Sequence, residues 1–235
     1  MEGIKNLREI TGAGFLDCKK ALEENNHDVD LSIDFLRKKG LAKANKKASR
    51  EAREGAIGLY SSGKITTIIQ INTETDFAAK NEVFLNFMDR IGSYSLQLDK
   101  KDTSIEEFKA TSFDGSSIND KFKEIIAKIG ENIILSKFIL ISNEENYMIS
   151  SYIHNSYRNN IGKIVTVLKS KVQEINEESE TLGKNLCMHI AASKPLALNI
   201  EKLDKELIKK EKEIQLDSIK SSGKPENIIE KILEG

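Results

Sequence analysis

The hydrophobic period of this chain changes from helical to β-like between residues 42 and 56, and one type of layer cannot bury both patterns. Before that stretch, Ile4, Leu7 and Ile10 form a helical stripe that stops at Thr11, Gly12, Ala13 and Gly14. Phe15, Cys18 and Leu22 form a second stripe, and Val29, Ile33 and Leu36 a third. Arg37, Lys38 and Lys39 followed by Gly40 read as the third helix's end, with cations in the last turn and then a residue that accepts positive φ. Residues 1–41 are therefore expected to form a three-helix module. Residues 42–54, AKANKKASREARE, carry alanine and charge without a strong apolar stripe and read as a solvated helical linker.

Beyond the linker, GAIGLYSS, a turn at Gly63 and Lys64, and ITTIIQIN read as a β-hairpin, followed by a helix with Phe84, Phe87, Met88 and Ile91. A second helix carries Phe122, Ile125, Ile126 and Ile129, ends at Gly130 and leads into the β-like run ILSKFILIS. The order then recurs: YMISSYIHN, a polar turn at residues 158–160, IGKIVTVLKS, and a helix with Leu182, Leu186, His189, Ile190 and Ser193 that Pro195 closes. The expected class is α+β, with a core of two related halves, residues 55–142 and 143–199, built on small antiparallel sheets. From Ile200 the narrow stripe Leu203, Leu207, Ile214 is broken by SSGKP and resumes at Ile228, Ile229, Ile232 and Leu233, so residues 200–235 read as a projecting helical hairpin.

Composition narrows the function. With 36 basic and 37 acidic residues the formal net charge is −1, so no global field draws the chain onto nucleic acid or an anionic membrane. Cys18 and Cys187 form neither a disulfide framework nor a metal-ligand spacing, and reduced thiols in the cytoplasm fit them best. No apolar run approaches the roughly 18 residues of a membrane span.

Candidate chemistry is sparse. The TGAG at 11–14 has no preceding strand and no following Gly-Lys-Ser/Thr, so it reads as an interhelical turn and not a phosphate loop. Cys187 and His189 supply two potential ligands without a second pair, and His189 reads as a core histidine on its helix's stripe. No catalytic constellation, cofactor fingerprint or small-molecule site can be assembled. Phe15 and Leu16 are adjacent, and one helix face does not comfortably bury both; either one points outward to a partner or the module buries both at a corner. Phe77 precedes Phe84 by one heptad, so spacing favours it as the first core residue of a helix capped by Thr75 or Asp76.

Taken together, LREITGAGFLDCKKAL, TETDFAAKNEVF, KIGENI and MHIAASKP closely resemble the elongation factor Ts family of bacterial translation factors, in the family's order and over essentially the whole chain. The resemblance implies that residues 1–41 are a ubiquitin-associated-like module, that 42–54 link it to the two core halves, and that the hairpin belongs to the second half. It implies no bond-making chemistry, no cofactor and no metal of its own. The implied activity is guanine-nucleotide exchange: binding elongation factor Tu carrying GDP and promoting GDP release. By motif, Asp76 and Phe77 take the place of the signature whose aromatic enters the GTPase near its magnesium and switch region, with Thr75 and Lys80 supporting that wedge. Ile129, Gly130 and His154 match further GTPase-facing positions, and Phe15 with Leu16 takes the place of an apolar pair that touches the nucleotide-binding domain.

Two departures from the family pattern stand out. Ala78 follows the aromatic where the family usually has valine, and family members normally continue beyond the position of Gly235. The second departure leads to the expectation of an incomplete hairpin and an unpaired sheet edge in the second half. Two competing readings remain: a general helix- or peptide-binding module that uses the N-terminal helices, and an enzyme that uses Cys18 or Cys187. Neither accounts for TDFAAK.

Overall fold

The computed structural model describes residues 2–63, 65–98 and 103–220. Three helices open the chain: α1 (Glu2–Thr11), α2 (Phe15–Glu24) and α3 (Val29–Lys47). Leu7, Cys18, Ala21, Leu22 and Leu36 close a small core of their own among these helices. The stripes are thus buried at Leu7, Cys18, Leu22 and Leu36, whereas Ile10 and Phe15 are exposed. Gly12, at φ +67, makes the turn between α1 and α2.

The third helix does not end at Gly40. It continues to Lys47, because Gly40 faces helix α7 (Ile118–Ile129) at a place where an added Cβ would lie 2.9 Å from the Cβ of Ala127. Gly40 is therefore a packing glycine in mid-helix and not a cap. The segment expected to be solvated is helical only to Lys47, and it buries Ala44 in the main core.

Antiparallel strands follow, consistent with the α+β class. β1 (Glu54–Ser61) and β2 (Ile65–Thr73) form the first hairpin. The one-turn helix α4 (Asp76–Ala79) and helix α5 (Glu82–Ser95) come next, then α6 (Ile105–Ala110) and a small hairpin of β3 (Ser112–Phe113) and β4 (Ser116–Ser117) before α7. After α7 come β5 (Ile133–Ser142), β6 (Tyr147–Arg158), β7 (Ile161–Lys171) and α8 (Glu177–Ser193).

The five long strands make one sheet in the order β5-β2-β1-β7-β6. Its two hairpins meet through only two residue pairs, Ile57 with Gly162 and Gly58 with Ile161. Strand, strand, helix recurs in β1-β2-α5 and β6-β7-α8. The main core lies where α5 and α7 cover β1, β2 and β5, with Ile69, Ile71, Phe84, Met88, Ile91 and Ile118 fully buried.

Helix α8 contacts β6 and β7 differently from what its apolar stripe suggests. Gly183 and Cys187 are buried, while Leu182, Leu186 and His189 are exposed, so His189 is not a core histidine. The reason is close approach: a Cβ at Gly183 would meet the Ser150 side chain, and Thr166 donates to the Cys187 carbonyl at 2.9 Å. Burial raises the thiol pKa of both cysteines.

The described residues fall into two compact units that divide between Ala191 and Ala192. In the second unit a short 3-10 turn (Ile200–Lys202) precedes α9 (Lys205–Lys220). The other arm of the expected hairpin lies outside the described residues.

Candidate functional site

The site grows from the end of the β2-β5 ladder. Thr73, last in β2, pairs with Ile133, first in β5, and beyond them the two backbones part. Side chains then replace the ladder. Glu74 Oε1 accepts the Asn132 N–H at 2.6 Å, while Glu131 accepts the Thr75 N–H at 2.9 Å and the Thr75 hydroxyl at 2.6 Å. The Thr73 hydroxyl donates to the Thr75 carbonyl at 2.7 Å.

Thr75 is extended and caps α4, its Oγ1 accepting the Ala78 N–H at 3.3 Å. A four-residue helix does not persist alone, since nucleation fixes several residues for one hydrogen bond. Here it is anchored beneath by Ala78 and Ala79, both buried. Phe77 is left 83% exposed at the outer surface of this turn. Asn81 then caps α5 by accepting the Val83 N–H at 2.8 Å, so two separate helices lie between Phe77 and Phe84. The heptad spacing does not carry across that second cap, and Phe77 is not the first core residue of α5.

Asp76 and Lys80 face each other across the turn, with Lys80 Nζ donating to Asp76 Oδ2 at 2.8 Å. That hydrogen bond holds the Asp76 carboxyl below its usual range and the Lys80 ammonium above its own. Lys80 also lies 6.0 Å from the centroid of the Tyr157 ring. Next to Tyr157, Arg158 donates to Asp89 at 2.7 Å and pairs with Glu82, fastening the end of β6 to α5.

The structure thus brings Thr75, Asp76, Phe77 and Lys80 together with Ile129 and Gly130. Gly130, at φ +88, ends α7 in the left-handed region, and its carbonyl accepts from Lys47 of α3. Ile129 is half-buried against the core. His154 is on β6, exposed, with Nδ1 3.0 Å from the Tyr152 hydroxyl. It precedes Tyr157 by about 10 Å of strand.

Phe15 and Leu16 are elsewhere, on the first turn of α2, 46% and 78% exposed; both point outward. Their module is seated on α7 by Gly40 against Ala127 and by the Arg37–Glu124 pair at 3.4 Å, with a crevice of about 270 Å³ between them.

The sequence reading missed Glu74, Glu131, Asn132 and Lys47. The signal available was an acid at each junction, in TETDF and in KIGENI, where neither helical nor strand periodicity has a use for it.

An α+β protein that displays an aromatic on a clamped turn has the form of a partner-binding protein. Residues 74–235 match the family model described as elongation factor TS. Curated proteins named "Elongation factor Ts" are similar along nearly the whole chain. The one from Allorhizobium ampelinum is 41% identical over 99% of this chain and 75% of its own length. Those from Rhizobium etli and Bartonella bacilliformis are each 39% identical over the same shares. The chain belongs to the elongation factor Ts family and is a translation elongation factor. No helix among the described residues is long and apolar enough to cross a membrane.

Proposed function

We propose that this chain is a cytoplasmic guanine-nucleotide exchange factor that binds elongation factor Tu carrying GDP and promotes GDP release by inserting Phe77 near its magnesium and switch region. The observation that carries the reading is Phe77 itself, 83% exposed on a turn that Thr75 caps at its start and that Asn81, the cap of α5, follows directly. Leaving a phenylalanine in water forgoes roughly 1.5–3 kcal/mol of burial, which a partner's pocket returns. Holding the ring in place lowers the ordering cost of binding. Asp76 and Lys80 fix the turn's outer edge, and Ile129, Gly130 and His154 extend the contact surface. Phe15 and Leu16 supply a second apolar contact on the GTPase.

The mechanism is differential binding and not bond chemistry; the chain acts on no small-molecule substrate and needs no cofactor, nucleic acid or membrane. Elongation factor Tu holds GDP through phosphate contacts and a bridging magnesium ion, so a wedge that moves those elements weakens the nucleotide. The coupling is reciprocal: the factor by which this chain weakens GDP is the factor by which GDP weakens this chain's hold.

Release of labelled GDP from elongation factor Tu, with and without this chain, tests the reading. Acceleration is expected, with Phe77→Ala losing most of it at saturating concentration. An unchanged rate with Phe77→Ala sinks the wedge. The variant should keep its stability within about 0.5 kcal/mol, because the ring is outside the core.

A further inference from the structure

Beyond the exposed residues, the structure holds a pair of acids with an unusual arrangement. Just beyond the last ladder pair, Thr73 with Ile133, side chains link Glu74 with Asn132 and Glu131 with Thr75. Each strand end contributes one carboxylate, and each carboxylate takes a backbone N–H of the other segment, Glu74 from Asn132 and Glu131 from Thr75. Glu131 accepts a hydrogen bond from the Thr75 hydroxyl as well, which leaves that oxygen's lone pairs for the Ala78 N–H that begins α4.

The partners extend inward. Asn132 is 2% exposed, and its side-chain amide donates to the Arg50 carbonyl at 2.6 Å and the Ala48 carbonyl at 3.4 Å. Arg50 in turn lies 3.7 Å from Glu74 Oε1. Lys47 reaches the Gly130 carbonyl one residue before Glu131. The Gly130–Asn132 segment therefore ties the Phe77 turn to the end of α7, the start of β5 and the chain leaving α3.

We propose that Glu131 and Glu74 form a reciprocal clamp that joins the Asp76–Phe77 turn and the Ile129–Gly130 helix end into one rigid surface, with Glu131 the positioning residue for the wedge. The proposal rests on the exchange reading above. A wedge shifts its partner only by the difference in its interactions with the partner's two states, and a loose turn adapts to both. Neither carboxylate is required to close the core, which is built from Phe84, Met88, Ile91 and Ile118. The clamp therefore acts on the stiffness of the turn more than on the existence of the fold.

The test uses the full chain with Glu131→Ala, Glu131→Gln and Glu74→Gln. Three quantities are measured: the maximal rate of GDP release from elongation factor Tu at saturating factor, the melting temperature, and amide hydrogen exchange at Thr75. Glu131→Ala should lower the maximal rate about tenfold, the scale of one or two hydrogen bonds to a charged group, and speed Thr75 amide exchange by a similar factor. Glu131→Gln keeps one acceptor oxygen for two donors and should recover part of the rate; Glu74→Gln should be milder. A Glu131→Ala maximal rate within twofold of the parent overturns the proposal, and so does a glutamine variant no better than alanine at equal melting temperature. Should the parent chain itself fail to accelerate GDP release, the exchange reading falls. The clamp is then judged on Thr75 alone, and unchanged amide exchange in Glu131→Ala overturns it.

Discussion

At the scale of single residues, the outward position of Phe77 follows from what lies on either side of it. Ala78 and Ala79 take the buried positions of α4, Thr75 caps its start, Lys80 ends it just before Asn81 opens α5, and the ring has only the solvent side left. Asp76 adds a pH dependence whose sign is fixed by its depressed pKa. A lowered folded pKa contributes stability that is present above the unfolded value, near 3.9 for a free aspartate, and lost as pH falls through the folded value. The Asp76–Lys80 bond is therefore intact throughout the physiological range. Exchange activity should carry no titration from Asp76 between about pH 5 and 8. The rate–pH profiles of the parent and Asp76→Asn measure this: the two should run parallel there, offset by a constant factor, and a step confined to the parent would contradict it. Sequence spacing pointed the other way for Phe77, toward a core residue, because the Asn81 cap is invisible to a count of apolar positions. The TDF signature, by resemblance, implied an outward aromatic, and Phe77 is exposed; Glu131 belongs to no periodic pattern, and its role depends on the pairing of β2 with β5.

At the scale of elements, glycines decide how closely helices approach the sheet. The Tyr60 ring on β1 lies between Gly58 of its own strand and Gly92 of α5; a Cβ at Gly92 would fall 2.1 Å from the ring. Gly92→Ala should destabilise the protein by about 1–3 kcal/mol or more through overpacking, despite alanine's better helix propensity. In a Tyr60→Leu background the ring is gone and the same change should cost less than about 0.5 kcal/mol, or stabilise. Urea unfolding of the four proteins gives the coupling energy, and additivity would show that the ring is not what Gly92 accommodates. The same logic explains which elements were legible in the sequence. The hairpin of β1 and β2, the α5 and α7 stripes and the Gly130 end of α7 were all readable from periodicity and turn residues. On α8 the large apolar residues set the stripe, while the small Gly183 and the Cys187 set the contact, so the buried face was misread. The β3-β4 hairpin was passed over although Asp114 and Gly115, both at positive φ, are the Asp-Gly signal of a tight turn.

At the scale of the molecule, α3 is the element whose reading changed most. The run Arg37, Lys38, Lys39, Gly40 is indistinguishable in sequence from a helix end, because a cap and a packing glycine use the same residue for different reasons. In the fold α3 spans two cores, contributing Leu36 to the N-terminal cluster and Ala44 to the main one, with Gly40 against α7 between them. The exposed pair Phe15–Leu16 and the Phe77 turn are therefore held at a fixed separation by α3 and α7. Gly40→Leu should force α3 away from Ala127 at a cost of about 1–3 kcal/mol and reseat the module. On the exchange reading, the two proposed contact sites would no longer fit one partner together and would lose the benefit of being linked, so affinity should fall, while the Glu131 and Glu74 hydrogen bonds of the wedge turn are not at the displaced contact. The concentration dependence of GDP release separates this from the clamp: Gly40→Leu should raise the half-saturating concentration about tenfold or more with the maximal rate preserved, whereas Glu131→Ala lowers the maximal rate. A Gly40→Leu variant that lost maximal rate at unchanged half-saturation would mean that the N-terminal module acts on the turn and not as an independent hold on the partner.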